Sequence, residues 1–335
     1  MADVARLAGV SGQTVSRVAN EVENVDPATR ARVLAAMREV GYRPNRAARA
    51  LRSGRFGSIG VIMFSLSSYG NTRSLEAIAT GAASAGYSIT LIPLASASPM
   101  AVAAAFARLS EHAVDGVVII MEAHYLHDSQ VELPTDLPIV VLDSSGQYPY
   151  PIIDTDQAQG ARLATQHLLD LGHDTVWHVS GPAVSFSATR RRDSWRATLE
   201  AAGARVPEVL RGDWSANSGY DAGCILAERD DVTAVFASND EMALGVLRAF
   251  REHGIRVPED RSVVGFDDMR ESANFSPPLT TIHQNFERVG IRALEALVHE
   301  IETGDTSERI IVPTQLVQRA STAPPPARPG RVARP

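Results

Sequence analysis

The chain lacks several features that define other classes of protein. None of its 335 residues belongs to an apolar run of about 18, so the sequence predicts no membrane span. No basic segment followed by an apolar one marks a secretory signal after Met1. The one cysteine, Cys224, cannot form an internal disulfide or a cysteine-rich zinc site. These absences predict a cytoplasmic protein that uses no metal or other cofactor and does not bind membranes.

Motifs for catalysis are also missing. The sequence contains no phosphate-binding P-loop, no nucleophile elbow and no glycine-rich dinucleotide motif after its first apolar run. His124 and His127 form a close pair, but no cysteine accompanies them, and a position in a loop explains them. The sequence therefore predicts that the protein is not an enzyme.

Lysine is absent, and the 32 basic residues, all arginines, are unevenly distributed. Residues 1–55 carry ten arginines and five acidic residues, a net charge of +5, which leaves −12 for the rest of a chain whose total is −7. A basic segment on an acidic body indicates nucleic acid as a partner at one end and a different partner elsewhere. The length indicates two or three domains.

The first twenty residues predict two short helices joined by a turn. Val4, Leu7 and Ala8 recur at helical spacing before Gly9, and Ser11 is a suitable N-cap for a second helix over about residues 12–19. Val15 and Val18 then face inward, while Gln13 and Arg17, four residues apart, share the outer face. Glutamine and arginine can each make bidentate contacts to bases, so this face suits the DNA major groove.

A third helix is predicted from Asp26-Pro27 to Gly41, with Val33, Leu34, Met37 and Val40 facing inward. A further stretch, residues 46–51, is too short to be a stable helix by itself and should form only with a partner chain and DNA. Its last residue, Leu51, has no local core to enter. The alternative is a small three-helix bundle whose surface arginines only confer solubility.

From Ser58 onward, apolar runs alternate with helical stretches. The runs are SIGVIMF, YSITLIPL, DGVVIIM, PIVVLD, TVWHVS, TAVFAS and SVVGFDD. This alternation predicts parallel sheets covered by helices on both faces, arranged as two Rossmann-like lobes around a cleft. Asp143, Asn239 and Asp267 each follow such a run, where open α/β sheets bind ligands. Capping of the next helix is the alternative explanation for them.

The basic segment resembles a known family. The runs DVARLAGVSGQTVSRVAN and TRARVLAAMREVGYRPNRAARAL are similar to the DNA-binding domain and hinge of the LacI/GalR family of transcriptional repressors. The resemblance implies that the second helix reads the major groove of a near-palindromic operator. It also implies that a hinge leucine opens the central base step from the minor groove.

By position, the resemblance assigns base reading to Gly12, Gln13 and Arg17 and the wedge to Leu51. The backbone-contacting and hinge positions are Ser11, Thr14, Ser16, Asn20, Thr29, Asn45 and Ala48. Gly12 has no side chain where relatives carry a reader, so their preferred half-site cannot be transferred. The chain also begins without the Thr-[Ile/Leu]-x that usually precedes the position of Asp3, which indicates a missing helix cap or an upstream start codon.

The body resembles the same family over GPAVSFSATRRRDSW, RGDWSANSGY, ASNDEMALG, VVGFDD and PPLTTIHQNF. The effector contacts implied by position are Asp143, Arg191, Trp214, Asn239, Asp267 and Gln284. Their chemistry suits a sugar, since polar groups can bind hydroxyls while Trp214 stacks on the ring. The motifs favour a glycoside or a plant-derived oligosaccharide. Phe64, Ser65, Tyr69 and Phe186 are further candidates for lining the pocket, with core packing as the alternative for the two phenylalanines. Arg190 and Arg192 require no role.

The resemblance implies this fold: an N-terminal all-α helix-turn-helix domain and hinge helix, then a two-lobed, periplasmic-binding-protein-like core of two parallel α/β sheets. The predicted boundaries are 1–43, 44–56 and 57–322, with lobe 1 at 57–155 and 286–313, lobe 2 at 156–282 and 314–322, and a disordered tail at 323–335. The tail lacks leucine heptads, which predicts a homodimer rather than a tetramer. Release of DNA by the sugar is expected. The alternatives are a corepressor-dependent regulator and a sugar-binding protein that does not bind DNA.

Overall fold

The structure, a computed structural model, describes residues 1–19, 24–42, 54–63, 66, 68–94, 99–120, 137–142, 150–306 and 309–326. The chain divides into two compact units, Met1–Phe56 and Gly57–Pro335. The helices of the described residues are α1 (Ala2–Ala8), α2 (Gly12–Ala19), α3 (Pro27–Glu39), α4 (Tyr69–Ser84), α5 (Pro99–His112), α6 (Gln157–Asp170), α7 (Phe186–Ala201), α8 (Ala216–Ala227), α9 (Asp240–Glu252) and α10 (Phe286–Thr303). None of them is long and apolar enough to cross a membrane.

The strands of the described residues all lie in the second unit. They are β1 (Ser58–Met63), β2 (Ser88–Pro93), β3 (Gly116–Ile120), β4 (Ile139–Leu142), β5 (Ile152–Thr155), β6 (Trp177–Ser180), β7 (Leu210–Arg211), β8 (Ala234–Ala237), β9 (Ser262–Val264), β10 (Thr281–His283), β11 (Ile310–Val312) and β12 (Gln315–Val317). All seven apolar runs singled out in the sequence form strands, which confirms the predicted α/β class of this unit.

The first unit packs α1, α2 and α3 around a small apolar core. Val4, Val15 and Val33 are fully buried there, and Met37 is nearly so. Gly9 ends α1 with φ 63°, a left-handed conformation that glycine adopts without steric cost. The predicted inward position of Leu34 and Val40 is wrong, because Leu34 is 40% exposed and Val40, which follows the end of α3, is 42% exposed. Val33, Ala36 and Met37 are the residues of this segment that fill the core, and Leu34 and Val40 do not belong to it.

A six-stranded parallel sheet in the order β11-β5-β4-β3-β1-β2 forms lobe 1 of the second unit. One of its faces packs against α4 and α10, through residues such as Ile78 and Leu297. The other face packs against α5, whose Val102 and Leu109 are fully buried. Covering on both faces explains why these strands read as continuous apolar runs.

Lobe 2 contains a four-stranded parallel sheet in the order β7-β6-β8-β9. Helices α8 and α9 cover one face and α6 and α7 the other. The chain passes between the lobes three times, after β5, between β10 and α10, and between β11 and β12. Strands β10 and β12 pair antiparallel beside these passages. This topology directs the carboxyl ends of both parallel sheets toward one cleft.

Candidate functional site

The exposed face of α2 carries the two side chains that the sequence proposed for base contacts. Gln13 and Arg17 are exposed, whereas Val15 and Val18, on the opposite face, are buried. The helix begins as predicted from Ser11, because the Thr14 backbone N–H donates to Ser11 Oγ at 3.1 Å. The side-chain oxygens of Ser11 and Thr14 lie 3.0 Å apart. The helix thus holds Gln13 and Arg17 on a capped, core-anchored scaffold.

The other predicted DNA-contacting residues fall into two groups. Ser16 and Thr29 are half-buried, and Gly12 is exposed at the first position of α2. The Thr29 backbone N–H donates to Asp26 Oδ2 at 2.9 Å, which caps α3. The remaining four, Asn20, Asn45, Ala48 and Leu51, lie outside the described residues.

In the second unit, a cleft of about 750 Å³, including the part open to solvent, lies between the carboxyl ends of the two sheets. Five of the six proposed effector contacts line it: Arg191, Trp214, Asn239, Asp267 and Gln284. The sixth, Asp143, lies outside the described residues. Tyr69 also lines the cleft and Phe186 does not, while Phe64 and Ser65 fall outside the described part of the chain.

Arg191 is the centre of the polar network in this cleft. Its Nε donates to Gln157 Oε1 at 2.7 Å, and its NH1 donates to the Ser238 backbone carbonyl. The same NH1 lies 3.7 Å from Asp267 Oδ1. The guanidinium also lies over the Phe266 ring, 3.8 Å from its centroid. These contacts therefore fix the orientation of the guanidinium plane without a ligand.

Asp267 is largely buried opposite Arg191. Gln284 Nε2 donates to its Oδ1 at 2.6 Å, and Gln284 Oε1 in turn accepts from Gln157 Nε2 at 3.0 Å. Burial raises the pKa of Asp267 to about 7, although the Arg191 charge opposes this shift. Its backbone has φ 109°, a conformation that non-glycine residues rarely adopt. Such local strain is concentrated at functional sites in proteins.

Trp214 provides the aromatic surface of the cleft and is also held in a strained backbone conformation, with φ 77°. Its ring lies against Gly181, where any Cβ would overlap it. Its carbonyl oxygen accepts from Asn239 Nδ2 at 2.9 Å, and Asn239 Oδ1 accepts from the Met242 N–H at 2.9 Å. Asn239 therefore caps α9, the alternative explanation for this residue, and it also lines the cleft.

Several polar residues of the cleft were missed by the sequence reasoning, and three of them carry or contact its polar network. Gln157 bridges Arg191 and Gln284, and Glu241 and Asp154 add carboxylates to the lining. Burial raises the pKa of Glu241. Nothing in the local pattern marks these residues, because they come together only through the three passages between the lobes.

Asp154 at the end of β5 is almost completely buried, with 2% exposure. Its Oδ1 accepts from the Thr155 N–H at 2.7 Å, and its Oδ2 accepts from Arg190 NH1. Arg309 NH2 lies 3.9 Å from Oδ2. Burial raises the pKa of Asp154, while the Arg190 charge counteracts the shift. Because β5 belongs to lobe 1 and α7 to lobe 2, the pair of Asp154 and Arg190 joins the lobes.

Three described carboxylates, Asp154, Glu241 and Asp267, line the cleft together with Arg191, while Arg190 and Arg309 flank Asp154. Arg190 and Arg191 are each engaged with one carboxylate, which leaves Glu241 without an ion-pair partner within the described residues. No group of described residues has the composition of a metal site. The arrangement can accept hydrogen bonds from hydroxyl groups and pack against an apolar ring face.

Comparisons with known proteins agree with both units. The model of bacterial regulatory proteins, lacI family, matches residues 1–45, and that of the periplasmic binding protein-like domain matches residues 165–322. The lactose operon repressor of Escherichia coli K12 is 36% identical over 329 residues, covering 96% of this chain and 90% of the relative. The transcriptional repressor PurR of Pasteurella multocida is 35% identical over 316 residues, covering 92% and 94%.

Among solved structures, the Lac repressor dimer bound to operator and the anti-inducer ONPF matches with a TM-score of 0.87 and 35% identity, covering 96% of this chain and 98% of that one. All three of these relatives carry the name of a repressor. The chain therefore belongs to the lacI family of bacterial regulatory proteins and is a DNA-binding transcriptional repressor.

Proposed function

We propose that the protein binds a pseudo-palindromic operator as a homodimer and that a sugar or glycoside in the cleft releases it. In this assignment, residues 1–43 form the DNA-binding domain, 44–56 the hinge and 57–322 the effector-binding and dimerisation core. The exposed pair of Gln13 and Arg17 on α2 supports base reading in the major groove. A two-fold dimer places two such helices about one DNA turn apart, and the similar Lac repressor structure is a dimer on its operator.

The observation that carries the proposal for a sugar is the pairing of Trp214 with a belt of hydrogen-bonding groups around the same cleft. Trp214 provides an aromatic face, and Gln157, Asp154 and Asp267 provide acceptors. A pyranose has an apolar face and a rim of hydroxyl donors, so it complements both parts. The described lining contains three carboxylates and one arginine, a composition that disfavours sugar phosphates and other anions.

Regulation requires that the effector bind two lobe arrangements with different affinity. A coupling free energy of roughly 1–3 kcal/mol is typical of such systems. We assign the sugar the role of inducer, which stabilises the arrangement with weaker DNA binding. A corepressor that strengthens DNA binding is the alternative, and the sign of the affinity change on adding ligand distinguishes the two.

The first experiment is selection of duplexes from a random pool by the purified full chain at near-physiological salt, where non-specific phosphate binding is suppressed. Enrichment of an inverted repeat supports the proposal and supplies a probe. Operator affinity is then measured with a panel of neutral glycosides. Because a PurR repressor is among the relatives, purine bases form the second part of the panel. An absence of enrichment would contradict sequence-specific operator binding. A response to purines alone would contradict the assignment of a sugar as the effector.

The proposed wedge has its own test. Leu51→Ala should weaken binding to the selected duplex because the apolar side chain no longer opens the central step. Affinity for the sugar should stay unchanged, since the substitution lies outside the core. Equal affinity of the variant and the original protein for the duplex would remove Leu51 from the mechanism.

A further inference from the structure

Two consecutive arginines of α7 contact carboxylates on opposite walls of the cleft. Arg191 is buried and faces Asp267 of lobe 2, while Arg190 reaches across to Asp154 of lobe 1. Successive residues of a helix point about 100° apart, so neighbours can serve different walls. The stretch around Arg191 therefore contains a second contact, between Arg190 and Asp154, besides the effector contact assigned to Arg191.

We infer that Asp154, oriented by Arg190 across the cleft, is a specificity-determining contact that accepts hydrogen bonds from hydroxyl groups of the effector. This inference rests on the proposed function and deepens it. It makes Asp154 the contact on the wall of lobe 1 and Arg190 a positioning residue that acts through it. The ligand class that follows is a neutral glycoside whose hydroxyl-bearing end faces β5.

The geometry of Asp154 leaves it able to bind a ligand. A carboxylate offers about four acceptor positions, and two hydrogen bonds, from Thr155 and Arg190, are made to this one. The residue lines the cleft. Its neighbours Ile153 and Thr155 line the same wall, and Ile153 anchors the strand in the core of lobe 1. The carboxylate is thus fixed at the end of a rigid strand and not on a mobile loop.

Arg190 has the properties of an orienting group. Its side chain is 27% exposed, and it donates to Oδ2, while the Thr155 N–H holds Oδ1. Both oxygens are therefore fixed, which sets the direction of the remaining lone pairs. The ion pair also neutralises Asp154, so a hydroxyl can approach without the cost of an unpaired buried charge. An ionised carboxylate at this end could donate no hydrogen bond to Asp154 and would bring a second negative charge to the pair.

The test compares ligand pairs that differ in one group. Isothermal titration of the full chain is carried out with neutral glucosides, galactosides, xylosides and their disaccharides. For the tightest of these, the matching uronic acid is titrated as well. Asp154→Asn should weaken binding of the neutral sugar by about 10- to 100-fold, the effect of losing a hydrogen bond to a charged group. It should also reduce the preference for the neutral sugar over the uronic acid.

Variants of the arginine separate positioning from general stability. Arg190→Gln should weaken binding of the neutral sugar, as Asp154→Asn does, but it should shift the ratio of the two affinities in the opposite direction, because it removes the charge that compensates Asp154. Arg190→Lys should restore part of the original ratio. Arg192→Gln is the matched control, since Arg192 is 26% exposed on the same helix and pairs with Asp193 outside the cleft lining. It should change neither affinity. Operator binding, measured for every variant, verifies that each one is folded.

The outcomes distinguish failure of this inference from failure of the proposed function on which it rests. If the original chain binds a neutral sugar and Asp154→Asn binds both ligands within twofold of it, Asp154 is not a specificity contact and the proposed function stands. If the original chain binds the operator but no sugar of the panel, the sugar effector itself is wrong and the inference is overturned with it. A shifted ratio in Arg192→Gln as large as in Arg190→Gln would refute the positioning role.

Discussion

The DNA-binding unit and the cleft present their polar side chains in opposite ways. Gln13 and Arg17 are exposed on a helix whose other face is anchored in a small core. In the cleft, Arg191, Asp267 and Gln284 are instead hydrogen-bonded or paired with one another. A surface of the first kind is complete within one helix. A site of the second kind depends on the mutual position of two lobes.

This difference has a functional meaning. The exposed face of α2 is formed within one capped helix, so the positions of Gln13 and Arg17 do not depend on a second lobe. The cleft network spans both lobes, because β5 and the passages at Gln157 and Gln284 connect them. A ligand that joins this network can favour one lobe arrangement, which is the requirement for coupling to DNA binding.

Removing Arg191 should produce the largest effect. Arg191→Ala leaves Asp267 buried without its counter-charge and Gln157 without its donor. Loss of one partner of a buried pair costs about 3–5 kcal/mol, so the free energy of unfolding should fall by that amount in urea titrations. The sugar response should be lost while operator binding is kept at low temperature. A variant that responds at the original sugar concentrations would contradict the role of Arg191.

The buried carboxylate of Asp267 should make stability depend on pH. Its pKa is raised to about 7 in the folded protein and is ordinary, 3.8, when unfolded. The folded state therefore binds this proton more tightly, so the contribution of Asp267 to the free energy of unfolding is fully present below about pH 4 and is lost as pH rises toward 7. The slope should be on the order of 1 kcal/mol per pH unit, and Asp267→Asn should flatten it.

The comparison for this pH profile is Asp260, whose pKa is lowered to about 2 by its hydrogen bonds with Arg256. Asp260→Asn should leave the slope between pH 5 and 7 unchanged. Asp240 contributes in the same direction as Asp267, since burial raises its pKa to about 6, so some slope remains in Asp267→Asn. A full slope in that variant would show that Asp267 is not the responsible group.

Changing Arg17, the proposed base-reading residue, should affect DNA binding only. Arg17→Ala removes a side chain suited to a bidentate base contact, worth about 1–3 kcal/mol per half-site. Affinity for the selected duplex should fall, while affinity for random DNA should change little. Arg38→Ala, at an exposed position of α3, is the control for charge. An equal loss on both DNAs would mean that Arg17 contacts phosphate.

The two sites also differ in how far the sequence predicts them. The longer apolar strands, the cap at Ser11 and the outward position of Gln13 and Arg17 follow from local periodicity, which a single helix or strand expresses by itself. Strands β5, β7, β10, β11 and β12 were not predicted, because two to four residues carry too little pattern. The pairs of Asp154 with Arg190 and of Gln157 with Gln284 join residues 36 and 127 positions apart. Only the topology brings them together.

The smallest expected effect concerns α3, where local periodicity gave a wrong answer. The spacing of Leu34 suits a buried position, but Val33, Ala36 and Met37 already fill the core of three short helices. Leu34→Ala should therefore change the free energy of unfolding by no more than about 0.5 kcal/mol. Met37→Ala, at 6% exposure, should cost about 2–5 kcal/mol. Thermal unfolding of both variants at two protein concentrations provides the measurement. A loss for Leu34→Ala that approaches that of Met37→Ala would show that the leucine is covered in solution, because an exposed side chain has no packing to lose.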